Sequence, residues 1–391
     1  MKGFQRLEEV FKISKTICIA HGGDVSEPSG GTNRVIAFAT ALRDAGFDVH
    51  LVVPSPKREF PEDLRDIKIH TVPIKARSIR DQIFRALLVS LKAKKIAKNN
   101  NAILQIEHST LAGSATLVGC SNFVLDMHDL AIGSPMYLNL PFPKMIIQNF
   151  IYKVEERAVS RASKIIVVSN PMKEFIIREW KIPEKKIIVI PNGYFEKKFK
   201  NFDESVEETD GMISFLGTLH SKLDLDKIIN LAKSLENSKI YIIGDGPLRG
   251  ILELKIRKND LKSIVLRGRL PDKDAFSLIA RSQICILPET PSLLTRVSCP
   301  VKLFDYAALG KAIVADDVAE MCRVFKEHNA ALLSDPTNLD EFIANVHKLL
   351  EDERLRRKLG ENAKRLVKDF TWEKQGEKLV RMYEDVIRRF K

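Results

Sequence analysis

Short apolar runs rich in isoleucine and valine alternate along this chain with stretches whose apolar residues recur every three or four positions. The first pattern reads as strands buried on both faces, the second as helices packed along one side. In the first half the pattern predicts strands at Thr16–Ala20, Asp48–Val53, Ile67–Val72, Ala102–Ile106, Phe123–Asp126, Lys164–Val168 and Ile187–Ile190. Helices are predicted at Asn33–Ala45, Ile79–Lys98, Lys144–Ser163 and Met172–Trp180. A second strand series follows at Met212–Leu216, Lys239–Ile243, Ile264–Leu266, Ile284–Leu287, Ala312–Ala315 and Ala331–Leu333, and the chain reads as helical from Thr337 onward. Strand–helix alternation with short connections implies an α/β protein whose mostly parallel sheets are covered on both faces. The acidic stretch 196–211 lacks apolar periodicity and reads as a linker between domains 1–195 and 212–370. Ligands of doubly wound domains bind at the carboxyl ends of the strands, so two facing domains are expected to frame a cleft.

Hydrophobic residues make up 45% and charged residues 29%, the balance of a globular chain bathed in water. Five widely spaced cysteines form no CxxC pair, which argues against a disulfide framework or zinc site and fits a reducing cytoplasm. Glu8 and Glu9 precede the first short apolar stretch, so the N-terminus does not read as a signal peptide. No apolar run reaches the ~18 residues of a spanning helix. We therefore expect a cytoplasmic protein, at or near the cytoplasmic face of a membrane. The net charge of +12 is unevenly placed: residues 1–200 hold 31 basic against 20 acidic residues, and the rest 32 against 31. This skew makes the N-terminal half the one that faces an anionic partner.

Ser29-Gly30-Gly31-Thr32 follows a strand and opens a helix, where backbone N–H groups can approach an anion or a sugar. The longer run Gly30-Gly31-Thr32-Asn33-Arg34, with Ala41-Leu42-Arg43-Asp44-Ala45-Gly46-Phe47-Asp48-Val49, resembles the opening of family 4 retaining glycosyltransferases of the GT-B fold. The resemblance continues in order through Asp126-Met127-His128-Asp129, Val167-Val168-Ser169-Asn170, Ile190-Pro191-Asn192-Gly193 and Phe215-Leu216-Gly217-Thr218-Leu219. It then runs through Gly244-Asp245-Gly246-Pro247-Leu248, the segment Pro300–Lys311 with its PxKLFEY-like spelling, and Phe370-Thr371-Trp372. It implies two facing Rossmann-like domains, with the C-terminal helix 372–391 crossing back to the first.

The resemblance also implies a retaining, metal-independent hexosyltransferase. Its donor would be a UDP- or GDP-sugar, with no cofactor and no metal. A departing nucleotide diphosphate gathers negative charge and needs fixed cations and N–H dipoles. Lys222 and Lys302 are the candidates, with the backbone of Gly217 and Thr218. Asp305 would accept hydrogen bonds from ribose hydroxyls. His128 would face the reacting sugar, with Asp129 orienting it or the acceptor. Gly30, Gly31, Asn192, Gly244, Gly246 and Pro247 complete the expected donor surround. The chain departs from the family where Thr218 replaces an arginine. It departs again at Val297 and Asp305, which stand where the family has two glutamates eight apart, and Glu289 lies upstream of that place.

Other readings are weaker. Gly244-x-Gly246-x-x-x-Gly250 has the wrong last spacing for a dinucleotide fingerprint, and no phosphate-binding P-loop motif occurs. Asp126, His128 and Asp129 could suggest a metal, but an inward strand residue rarely joins its loop neighbours on one ion. Stretches 75–98 and 144–164 combine lysines and arginines with apolar residues at helical spacing, and so could lie on an anionic bilayer. A stripe facing the sheet is the plainer account of the same pattern. Nucleic acid is not expected, since no binding motif or aromatic platform accompanies the charge. The expected acceptor is a lipid-linked or membrane-proximal glycan. The alternatives are a sugar-nucleotide epimerase on the same scaffold, or a catalytically silent sugar-nucleotide-binding subunit.

Overall fold

The computed structural model describes residues 15–27, 29–74, 79–132, 134, 143–200, 202 and 206–388. The chain divides into two compact units, Met1–Asn192 with Trp372–Lys391, and Gly193–Thr371. The first is built on a parallel sheet of seven described strands. These are β1 (Thr16–Ala20), β2 (Asp48–Pro54), β3 (Lys68–Val72), β4 (Ile103–Glu107), β5 (Val124–Met127), β6 (Lys164–Val167) and β7 (Ile187–Val189). The second unit holds six: β8 (Met212–Leu216), β9 (Lys239–Ile243), β10 (Ile264–Gly268), β11 (Ile284–Leu287), β12 (Ala312–Asp316) and β13 (Leu332–Ser334).

The sheet orders are β3-β2-β1-β4-β5-β6-β7 and β10-β9-β8-β11-β12-β13. In each unit the first strand lies centrally, between the second and the fourth. Thr16 pairs with Asp48 and Ile17 with Ile103; Met212 pairs with Lys239 and Ile213 with Ile284. The strand order reverses there, so both sheets leave a crevice at the carboxyl end of their first strand. Ile17, Cys18, Ile19, Ile240, Ile242 and Ile286 are buried, as strands covered on both faces must be. The observed strands fall on the predicted ones to within a residue or two.

Helix starts follow their caps. Ser29 caps helix Gly30–Asp44 by accepting the Thr32 N–H at 3.1 Å. The helix begins earlier than the periodicity suggests because Gly30 and Gly31 carry no apolar side chain to mark the period. Ser169 caps Asn170–Trp180 in the same way, with Pro171 in the first turn, where its missing donor costs nothing. Helix Ser109–Leu117 was not anticipated, because its small side chains show no amphipathic period. It packs against Lys144–Arg161 so closely that a Cβ on Gly113 would lie 2.3 Å from Val154 Cγ1.

The C-terminal helix Trp372–Arg388 belongs to the first unit. Trp372 meets Phe38 edge-on at 6.1 Å, and Gly376 lets the helix approach Ala41. The Tyr383 hydroxyl donates to Gln105 Oε1 at 2.6 Å inside the core. The acidic stretch read as a linker falls within the second unit, where Glu208 pairs with buried Lys311 and Arg356 at 2.8 and 3.1 Å. Among the described residues no helix is long and apolar enough to cross a membrane.

Candidate active site

In the second unit, β8 runs into Gly217 and β9 into Gly244, with φ of +145° and +142°. A Cβ on Gly244 would sit 1.9 Å from the Gly217 carbonyl oxygen, and one on Gly246 would sit 2.4 Å from that of Leu219. Only glycine lets the two strand-end turns lie this close. The Leu219 N–H donates to Asp245 O, and Leu248 N–H to Leu219 O, which ties the turns together. Thr218 and Pro247 are exposed on them. The Gly217 N–H is taken by Ile243 O at 2.9 Å, so of the two amides proposed for the phosphates that of Thr218 is the remaining candidate.

Lys302 lies in the first turn of helix Val301–Ala308. Its Nζ rests over the Phe215 ring, 4.8 Å from the centroid, and a Cβ on Gly217 would come within 3.3 Å of it. Burial lowers its pKa, opposed by the charge of Glu289 and reinforced by that of Lys222. Lys222 reaches the same place from the loop after β8. Its carbonyl accepts the Thr290 N–H at 2.9 Å, and Leu223 forms an antiparallel bridge with Glu289. The two lysines therefore share one electrostatic neighbourhood, and Glu289 stands in it.

Glu289 was set aside in the sequence because of its distance along the chain from Asp305. It is 4% exposed, and its Oε2 has no hydrogen-bond partner. Its N–H donates to Asp316 Oδ2 at 2.8 Å, and the other oxygen of Asp316 pairs with buried Lys227. Asp305 looks elsewhere. Burial pushes its carboxyl up to about 7, against the charge of Lys198 and with that of Asp272. Val297 is buried and apolar, so the position eight before Asp305 supplies no polar group.

The first unit arranges different chemistry at the same edge. Three neighbouring strands, β1, β4 and β5, each run directly into a histidine: His21, His108 and His128. The rings of His108 and His128 meet edge-on at 5.5 Å. His108 holds φ +72°, rare for a side-chain-bearing residue. Gly31 makes room for His128, whose Nε2 would be 3.1 Å from a Cβ there. The Nδ1 of His128 is buried without a hydrogen-bond partner. Burial, then repulsion by the other histidines, lowers His21 to about 3 and His128 to about 4; Asp129 pulls His128 slightly the other way. All this keeps both imidazoles neutral at physiological pH. The signal for the missed pair was present, since each histidine closes an apolar strand as His128 does.

One expected site residue, Asn192, and the motif residue Asp126 both bond to Arg34. Asp126 makes a two-pronged ion pair with fully buried Arg34, both bonds 2.8 Å. Arg34 Nη1 also donates to Ile190 O, Pro191 O and Asn192 Oδ1, which ties the segment after β7 to helix Gly30–Asp44.

Comparison with known proteins fits this architecture. The sequence model of Glycosyltransferase Family 4 matches residues 28–195, and that of Glycosyl transferases group 1 matches residues 196–366. The chain belongs to the family 4, group 1 glycosyltransferases. An uncharacterised glycosyltransferase of Methanocaldococcus jannaschii is 26% identical to this glycosyltransferase over 91% of the chain and 95% of its own length. An N-acetylgalactosaminyltransferase of Campylobacter jejuni, named for a diphospho-undecaprenol-linked acceptor, is 22% identical over 88% of the chain and 93% of its own. Sucrose-phosphate synthase of Thermosynechococcus elongatus shares the fold with TM-score 0.77 at 15% identity, over 96% of this chain and 99% of that one. The glycosyltransferase therefore has the GT-B fold.

Proposed function

We propose that this glycosyltransferase moves a hexose-type sugar, with retention and without a metal, from a UDP- or GDP-sugar to a lipid-linked or membrane-proximal glycan acceptor. The observation that carries the donor half is the placement of Lys302 against the glycine turn after β8, with Lys222 in its electrostatic neighbourhood. As the bond from the anomeric carbon to the diphosphate breaks, its electrons pass to the phosphate oxygen. Two ammonium groups and the Thr218 amide would stabilise that growing charge in place of a divalent ion. His128, neutral at physiological pH, would exchange hydrogen bonds with a sugar or acceptor hydroxyl rather than attract phosphate.

The acceptor half rests on the surface of the first unit. Phe84 and Ile83 on helix Ile79–Asn99 are 58% and 57% exposed, and Met145 and Phe150 on helix Lys144–Arg161 are 70% and 69%. Arg80, Lys95, Lys98, Lys144, Lys153 and Arg157 are exposed on the same helices, while Lys75 and Arg77 lie outside the described residues. Exposed aromatic and aliphatic groups among cations suit the headgroup zone of an anionic bilayer. The test is incubation with a panel of UDP- and GDP-sugars, with and without polyprenyl-diphosphate glycans in vesicles, following release of nucleotide diphosphate. Acceptor-dependent release unchanged in EDTA supports the reading. Complete loss in EDTA restored by manganese, or sugar inversion, overturns the corresponding part.

A further inference from the structure

Glu289 poses a problem for a diphosphate site. A carboxylate beside two lysines strengthens neither lysine's grip on an anion, and a donor phosphate arriving there would meet like charge. Yet the fold builds Glu289 in with care. Its backbone is fixed twice, by the bridge between Leu223 and Glu289 and by the N–H bond to Asp316, whose carboxylate is itself anchored on buried Lys227. The side chain is 4% exposed, and one carboxylate oxygen lacks any hydrogen bond. A buried, half-satisfied carboxyl is expensive to keep unless something compensates for it.

Among the described residues, charged and titratable groups reach it from four elements. Lys222 comes from the loop after β8. Lys302 and Tyr306 lie on helix Val301–Ala308. Cys322 comes from helix Glu320–Glu327, and Asp316 from the end of β12. Of these only the two lysines carry charge of the opposite sign. The thiol of Cys322 and the phenol of Tyr306 are both pushed well above their ordinary range by burial, so neither titrates near neutrality. The carboxyl of Asp316, raised to about 7 by burial, could also exchange a proton there, as could Lys302, whose pKa burial lowers.

We propose that Glu289 is the resident counter-ion of the donor site: it balances Lys222 and Lys302 when the site is empty and takes up a proton when the donor's diphosphate replaces it. This inference rests on the placement of the diphosphate at those two lysines given under the proposed function. The step is a simple proton uptake. The carboxylate gains one proton from solvent, and no bond of the donor changes. Before donor binding burial raises the proton affinity of Glu289, and the two lysines keep it below where burial alone would put it. Diphosphate oxygens then engage both ammonium groups and bring negative charge of their own. Both changes raise the proton affinity of the carboxyl. The protonated group is neutral, so it no longer repels the phosphates, and it can donate a hydrogen bond to one of their oxygens.

The sign of the linkage follows. A group that binds its proton more tightly in the complex makes binding weaken as pH rises between its free and bound pKa values, by up to about tenfold per pH unit. UDP-glucose and GDP-mannose are suitable probes, because their diphosphate diesters do not themselves titrate near neutrality. Calorimetric titration of the full chain with each, in buffers of different ionisation enthalpy at pH 7 to 8, counts the protons exchanged. We expect uptake approaching one proton in the wild-type protein, and affinity that falls with pH. Glu289→Gln, which mimics the protonated carboxyl, should bind with no uptake, with affinity level across pH and above wild type at pH 8.

Wild-type binding with no uptake, or with proton release, overturns the proposal even if the variant fails to fold. Uptake that persists in Glu289→Gln moves the proton to another group, Asp316 first, and overturns it equally. Failure of either probe and of the other common nucleotide diphosphate sugars to bind would instead overturn the donor site itself. The two failures are thus separable.

Discussion

At the carboxyl edge of its sheet the first unit holds His21, His108 and His128, whereas the second holds Lys302, Lys222 and Glu289. The strand order leading to both places is the same, with the first strand of each unit at the point of reversal. The difference lies in where each unit spends its formal charge. In the first, the buried Arg34–Asp126 pair is turned inward, with the guanidinium 4.4 Å above Phe38 and bonded to the chain end at Asn192. The edge is left with neutral imidazoles suited to hydroxyl groups. In the second, the cations stand at the edge beside glycine turns. The second unit also buries ion pairs, Lys227 with Asp316 and Lys311 with Glu208, so the contrast lies at the two edges, neutral imidazoles at one and cations at the other.

That contrast is breakable by substitution. Arg34→Ala leaves Asp126 buried and uncompensated beside Glu107, and should cost about 3–5 kcal/mol of stability in the first unit, read by urea denaturation. An unchanged denaturation midpoint would mean the pair is not structural. Lys302→Ala should do the reverse: stability near wild type, but turnover lower by ~10²-fold, as for loss of a group that stabilises a developing anion. If Lys302→Ala and Lys222→Ala both turn over at the wild-type rate, the second edge is not the donor site.

The fold was legible because strands buried on both faces announce themselves as unbroken β-branched runs. The helix Ser109–Leu117 was not, since Ala, Gly, Ser and Thr pack by closeness rather than by an amphipathic stripe. Lys302 and Lys222 were found through their motif. Glu289 is hidden in the sequence because it lies far along the chain from Asp305, whereas the bridge between Leu223 and Glu289 creates proximity across two loops. Asn192 reads as a donor-site residue from its place in a motif, and the bonds that Asn192 and Asp126 make to Arg34 are visible only in three dimensions. His21 and His108 repeat the strand-then-histidine signal of His128, but the adjacency of β1, β4 and β5 is what turns three separate residues into one cluster.

The histidine edge also makes an acid prediction. The folded values of His21 and His128, about 3 and 4, lie below the ordinary 6.5, so the unfolded chain binds protons first as pH falls. Their contribution to stability is full above pH 6.5 and is lost progressively below it, toward those folded values. Each should cost on the order of 2 kcal/mol by pH 5. Urea denaturation at pH 7 and 5 should show that loss, and His21→Gln with His128→Gln should remove most of it. An equal loss in the double variant would place the acid sensitivity elsewhere.

The smallest expected effect per residue, and the one that bears on the acceptor, concerns the outer face of the first unit. Lys92 and Lys94 are tied to backbone carbonyls, with Nζ donating to Thr71 O at 2.6 Å and Val118 O at 2.7 Å. They are poor choices for testing bilayer contact, since changing them disturbs the fold. Lys95 and Lys98 are exposed, as are Phe84 and Phe150. Each surface cation near an anionic leaflet is worth roughly 1 kcal/mol, and salt screens that term within about 10 Å at 0.1 M. Purified protein should therefore sediment with phosphatidylglycerol vesicles at low salt and be released at high salt. Lys95→Glu with Lys98→Glu should weaken binding by about 30-fold or more at low salt and flatten its salt dependence. Phe84→Ser with Phe150→Ser should weaken it while leaving the salt dependence intact, because the apolar contribution is not screened. Both pairs should leave donor-dependent nucleotide release unchanged, since their residues belong to the first unit and the lysine site to the second. Sedimentation indifferent to salt and to both pairs would show that this face meets something other than an anionic bilayer, and the acceptor would then have to be sought among soluble glycans.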